Sequence, residues 1–170
     1  MRALKFFLPS LVALALAGCG GYRLGPVNGV EGGTKTVEVL PFNNKTLQPR
    51  LGDDFTQALR ERFQADGTYR LTTGDPGDLV VSGVIFSYQR EALGYLNADA
   101  STPQNFRVGA TVHVIVRDRA TGKVILDRDV KGHTLINVGS DLISSERQAG
   151  PMLAEDVAHN IVSLLAEGSW

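Results

Sequence analysis

Phe106-Arg107-Val108-Gly109-Ala110-Thr111-Val112-His113-Val114-Ile115-Val116-Arg117 is the stretch that decides the fold of this chain. Phe106, Val108, Ala110, Val112, Val114 and Val116 alternate with Arg107, Gly109, Thr111, His113, Ile115 and Arg117. A period of two is that of a strand with one face buried and the other wet. Asp118-Arg119-Ala120-Thr121-Gly122 reads as a turn, and residues 123–135 return as the next strand. Setting Val116 opposite Val124 makes the two apolar faces coincide, because a one-residue slip turns one strand's core residues to solvent. That register places Ile115 opposite Ile125, His113 opposite Asp127, Gly109 opposite Lys131 and Arg107 opposite His133.

Upstream of the hairpin, residues 79–90 are a long apolar run. Leu79, Val81 and Ile85 lie on one face, and Val80, Val84, Phe86 and Tyr88 on the other, so this strand belongs at the centre of a sheet. Gly74-Asp75-Pro76-Gly77 is a turn before it, and residues 69–73 suit a short strand. Leu51, Phe55, Leu59 and Phe63 recur every four residues, with Asp53 and Asp54 where carboxylates complement a helix dipole. This predicts an amphipathic helix ending near Gly67. Earlier still, Thr36-Val37-Glu38-Val39-Leu40-Pro41-Phe42 alternates like a strand, and Pro41 marks its end as an edge or exit.

Downstream, residues 137–146 show no period and read as a loop. Leu153, Val157, Ile161 and Leu164 form a stripe, widened by Ala154, Ala158 and Leu165, which predicts a second helix over residues 148–167 with Pro151 in its first turn. Strand, helix, several strands, helix is an α+β order. It implies two helices packed on one face of a small, mostly antiparallel sheet of four to five strands.

The N-terminus is of a different kind. Met1-Arg2-Ala3-Leu4-Lys5 is basic, the run to Ala17 is apolar, and Leu16-Ala17-Gly18-Cys19 resembles a bacterial lipobox. Residues 1–18 are thus expected to be a lipoprotein signal peptide. The run is too short for a spanning helix, which needs about 18 apolar residues or more. Cys19 is the single cysteine and the expected lipidation site. Several acyl chains hold almost permanently, at ~0.8 kcal/mol per buried CH₂. Gly20 rather than Asp follows Cys19, which favours the outer membrane. Residues 19–33, glycine-rich with Pro26, read as a lipidated tether, and residues 34–170 as the domain.

Without Arg2 and Lys5, 15 of the 17 basic residues remain against 18 acidic ones, a formal charge of −3. That balance supports no general affinity for nucleic acid. With Cys19 consumed by lipid, neither a disulfide nor a thiolate site is available, and the covalent lipid is the one attached group expected. His113, His133 and His159 lack a paired-ligand spacing, so no metal is expected. There is no Gly-x-Ser-x-Gly elbow and no phosphate-cradling Gly-rich loop, and nothing here reads as an enzyme. The wet face of the hairpin is more suggestive. Arg107, Lys131 and His133 gather at one end, which suits either a plain solvated face or an anion-binding site, with Asp127 and Asp129 favouring the former.

Cys19-Gly20-Gly21-Tyr22-Arg23-Leu24, then Val37-Glu38-Val39-Leu40-Pro41-Phe42-Asn43-Asn44-Lys45-Thr46 and Pro49, then Asp78-Leu79-Val80-Val81-Ser82-Gly83-Val84-Ile85, and then the hairpin, stand in an order that resembles the LptE family of lipopolysaccharide-assembly lipoproteins. The resemblance implies a non-enzymatic partner of the outer-membrane β-barrel LptD, seated largely inside the barrel as a plug, assisting its assembly and taking part in lipopolysaccharide insertion. A polar barrel lumen accepts such a plug. The family places basic residues in loops beside the central strands, whereas residues 93–104 here hold no Lys or Arg. Strand geometry instead nominates Arg90, Arg107 and Lys131 as candidate glycolipid-binding residues. The segment from Val37 to Thr46 also resembles CsgG-like and LpoB-like periplasmic lipoproteins, which would make the chain a secretion-pore subunit or an activator of cell-wall synthases.

Overall fold

The structure, a computed structural model, describes residues 32–96, 99–137 and 142–168. The expected signal, Cys19 and nearly all of the tether lie outside the described residues. The elements are β1 (Thr36–Val39), β2 (Asn43–Asn44), α1 (Leu51–Asp66), β3 (Arg70–Thr72), β4 (Leu79–Leu96), β5 (Asp99–Asp118), β6 (Val124–Asn137) and α2 (Leu142–Glu167). One sheet has the order β3-β1-β4-β5-β6, with β2 also paired to β4.

The fold is α+β, with both helices on one face, as expected. The sheet is larger than expected and mixed. β1 is parallel to both β3 and β4, β2 is parallel to β4, and only β4, β5 and β6 form an antiparallel meander. The reason lies in α1, which carries the chain back to the end of the sheet where β1 began, so that the next strand runs the same way. Pro41 divides β1 from β2. Leu40 N–H still donates to Val81 O, at 3.0 Å, but Phe42 turns beneath α1 and its N–H donates to Thr56 Oγ1, at 2.9 Å.

The periodicity of α1 is fully expressed, with Leu51, Phe55, Leu59 and Phe63 buried. Gly67, at φ 73°, closes it in the left-handed conformation, its N–H donating to Phe63 O. Tyr69 then crosses Phe63 edge-on, 6.2 Å between ring centres, and its hydroxyl donates to Leu165 O of α2. The two helices and one sheet face thus share a single core.

Helix α2 starts at Leu142, where a loop was expected, and Pro151 sits well inside it rather than in its first turn. Few apolar residues precede Ala149, so the first turns carry no legible stripe. Pro151 has no N–H for the carbonyl of Arg147, which costs one helix bond. Gly150, just before it, lies so close to Asp54 that a Cβ would stand 2.8 Å from Oδ2. Burial there raises the pKa of Asp54, against the pull of Arg50.

The β5–β6 register differs from expectation by two residues. Val116 faces Leu126, Ile115 faces Asp127, His113 faces Asp129, Thr111 faces Lys131, Gly109 faces His133 and Arg107 faces Leu135. A slip of two preserves the faces while changing every neighbour. The turn decides it. Asp118 N–H donates to Lys123 O at 2.9 Å, Gly122 adopts φ 71°, and an irregularity beside Arg117 inserts Ile125 as an extra residue of β6.

Candidate functional site

The polar face of the meander, opposite the helices, carries the candidate site, and a bulge in β4 determines its membership. Ile85 pairs with Val112 and Ser87 with Thr111, which leaves Phe86 as an inserted residue. An inserted residue reverses the alternation of all that follow. Before the bulge, Val81, Gly83 and Ile85 face the core; after it, Tyr88 pairs with buried Ala110 and Arg90 with buried Val108.

Arg90 therefore lies on the helix side of the sheet, where its guanidinium stands 5.2 Å from the centre of the Phe106 ring. Arg107 and Lys131 lie on the other side. Of the three nominated residues, the structure brings together two and separates the third, because simple alternation from Leu79 was carried through a residue that breaks it. The same bulge delivers Ser87 and Gln89 to the polar face, where sequence reasoning had no reason to place them. Burial holds the Tyr88 phenol above its usual pKa, with Arg90 opposing.

Three rows cross the sheet on this face. Ser87, Thr111 and Lys131 form one, Gln89, Gly109 and His133 the next, and Glu91, Arg107 and Leu135 the third. Gly109 is at the centre and has no side chain, so Ser87, Gln89, Arg107, Thr111, Lys131 and His133 stand around a shallow depression of about 520 Å³ whose floor is backbone of β5 and β6.

The charges are unevenly engaged. Asp129 and Asp127, which argued for a plain solvated face, are both turned to His113, at 2.8 Å and 3.3 Å from its two ring nitrogens. Arg107 has a loose exposed partner in Glu91 at 3.7 Å, and exposed pairs of this kind contribute only ~0–1 kcal/mol. His133 is held through its backbone N–H, which donates to Asp156 Oδ2 of α2 at 2.9 Å, and Asn160 donates to Lys131 O at 3.0 Å. The strand that presents Lys131 and His133 is thus fastened to α2 by its main chain, and the His133 ring also stands 4.0 Å from Asp156 Oδ2; both residues line the depression.

The arrangement offers hydrogen-bond donors and positive charge around an open floor. Among the described residues no group of three His, Cys, Asp or Glu side chains is placed to hold a metal. A ring of donors without a paired nucleophile and base suits recognition of an anion bearing hydroxyl groups.

Solved structures share the fold at low identity. A hypothetical protein from Chlamydia trachomatis superposes with a TM-score of 0.56 at 14% identity, over 78% of this chain and 95% of that one. A minor lipoprotein from Acinetobacter baumannii gives 0.52 at 17%, over 78% and 92%. A protein from Xanthomonas campestris gives 0.58 at 10%, over 86% and 92%. These likenesses establish the architecture alone. No curated protein sequence matches the chain. The sequence profile of one family does, over residues 34–165, which spans every strand and nearly all of α2. With that match across the domain, this chain belongs to the LptE family of lipopolysaccharide-assembly proteins.

Proposed function

We propose that the chain is an outer-membrane lipoprotein, tethered through lipid on Cys19, that plugs and assists the assembly of an LptD-type β-barrel and takes part in inserting lipopolysaccharide into the outer leaflet. The observation that carries this reading is the family match over residues 34–165. One feature agrees with it. The lipobox-like Leu16-Ala17-Gly18-Cys19 supplies a lipid attachment point. No helix among the described residues is long and apolar enough to cross a membrane. In this reading Arg107 and Lys131 contact the glycolipid and Arg90 does not.

Affinity purification from outer membranes in mild detergent tests the reading. Recovery of an LptD-type barrel in about equal amount is expected. Recovery of the chain without a barrel, or as a ring of its own copies, overturns it. A Cys19→Ala variant exported on a cleavable soluble signal is expected to retain the barrel, since the protein contacts do most of the holding.

A further inference from the structure

Glycine at the centre of a strand weakens it, having no side chain to pack and the most backbone freedom to lose. On the meander, Gly83 and Gly132 have evident reasons. A Cβ on Gly83 would stand 2.2 Å from the Phe42 ring, and one on Gly132 would stand 2.5 Å from Val157 Cγ2. Gly109 has neither a packing reason nor a backbone reason. Its φ lies outside the left-handed region, and a Cβ there would meet only Gly132 O, at an ordinary 3.6 Å. The space above it is open, and it is the middle of the depression already described.

We infer that the depression over Gly109 is a binding site for one phosphorylated sugar ring. The ring lies flat on the glycine floor, where any side chain at position 109 would displace it. Thr111, Ser87 and Gln89 supply donors and acceptors at its edge for hydroxyl groups. Arg107, Lys131 and His133 stand on the remaining sides and complement the phosphate, with Arg107 able to grip it by two parallel bonds. Of the nearby acids that would repel a phosphate, Asp127 and Asp129 are engaged by His113, and Asp156 is engaged by His133, accepting its backbone N–H and lying 4.0 Å from its ring. Glu91 is drawn to Arg107 and stands at a corner of the face. The volume is within the ~300–1,000 Å³ of small-ligand sites. This deepens the glycolipid contact proposed above and rests on that reading only for its ligand's source. A phosphorylated sugar can come from a glycolipid headgroup or from a soluble sugar phosphate.

Gly109→Leu is the decisive variant, since it fills the site without touching the core. The full lipidated chain in detergent is titrated with purified lipopolysaccharide, with the same material after enzymatic dephosphorylation, and with glucosamine 1-phosphate, by calorimetry. Thermal unfolding is recorded in parallel. Gly109→Leu is expected to lose at least tenfold in affinity while its unfolding temperature holds or rises. Arg107→Glu with Lys131→Glu, and separately removal of the phosphates, are each expected to cost at least tenfold. Binding of glucosamine 1-phosphate at wild-type Gly109 assigns a soluble source. Binding of lipopolysaccharide alone assigns the headgroup, and either supports the site. Undiminished binding by Gly109→Leu, or indifference to dephosphorylation, overturns it. If the chain binds neither ligand yet still recovers the barrel, the site falls and the barrel reading stands. If it binds but recovers no barrel, the reverse holds.

Discussion

Gly132 of β6 lies directly against Val157 of α2, so close that a Cβ on the glycine would stand 2.5 Å from Val157 Cγ2 and 3.0 Å from its backbone nitrogen. This contact sets how near the C-terminal helix approaches the sheet edge. It also brings Asp156 and Asn160 within reach of the β6 main chain.

Gly132→Ala is accordingly expected to destabilise the fold by about 1–3 kcal/mol, the usual cost of overpacking a close contact. Chemical denaturation reads it directly. Restored stability in the double variant with Val157→Ala would identify the clash as the cause.

The same approach shields the edge of the sheet. Asp156 accepts from His133 N–H and Asn160 donates to Lys131 O, so groups that would otherwise be open to another strand are occupied. Replacing both with Ala is expected to produce concentration-dependent self-association, followed by light scattering. A monomeric double variant would show that the edge is guarded by something else.

Thr56 joins α1 to the β1–β2 break. Its hydroxyl accepts from Phe42 N–H at 2.9 Å and donates to Gly52 O at 2.6 Å. Thr56→Val keeps the shape but leaves a buried N–H unpaired, at a cost of about 1–3 kcal/mol. Thr56→Ser retains the hydroxyl and is expected to lose far less.

Acid stability is governed in part by Asp78 and Asp118. Asp78 accepts from the backbone N–H and hydroxyl of Thr36, both at 2.8 Å, and Asp118 likewise from Thr121, both at 2.9 Å. These bonds hold both carboxyls below their ordinary value of 3.8. The unfolded chain therefore takes up these protons first as pH falls. Their contribution is complete above the ordinary value and is lost as pH drops through the lowered folded values, from about pH 4 downward. Asp78→Asn is expected to flatten that part of the stability curve measured by denaturant unfolding.

Arg90 stands on the helix side of the sheet, its guanidinium against the Phe106 ring. Arg90→Met is expected to cost ~0.5–1 kcal/mol through loss of the contact with the Phe106 ring. Binding of lipopolysaccharide to this variant should match wild type within error.

Where a side chain's role depends on its own short stretch, the sequence was sufficient. The four-residue repeat of Leu51, Phe55, Leu59 and Phe63 specified α1, and the alternation from Phe106 to Val116 specified which face of β5 is buried, because both periods are properties of the local backbone. The family resemblance, carried by motifs in order, was legible for the same reason. Helix α2 was legible from Gln148 onward, its stripe dense after Leu153, and not from Leu142 to Arg147, where no apolar period marks it.

The site required the tertiary structure. Lys131 and His133 follow from alternation, but their partners across β5 follow from the turn at Asp118 and the extra residue near Ile125, which no periodicity announces. The bulge at Phe86 follows directly on the last β2 pairing at Ile85, and it decides that Ser87 and Gln89 face the depression while Arg90 does not. Local sequence thus determined the elements and the side of the sheet on which Arg107 and Lys131 stand. Only the pairing of distant strands decided which residues surround Gly109, because register is set by contacts between segments and not within them.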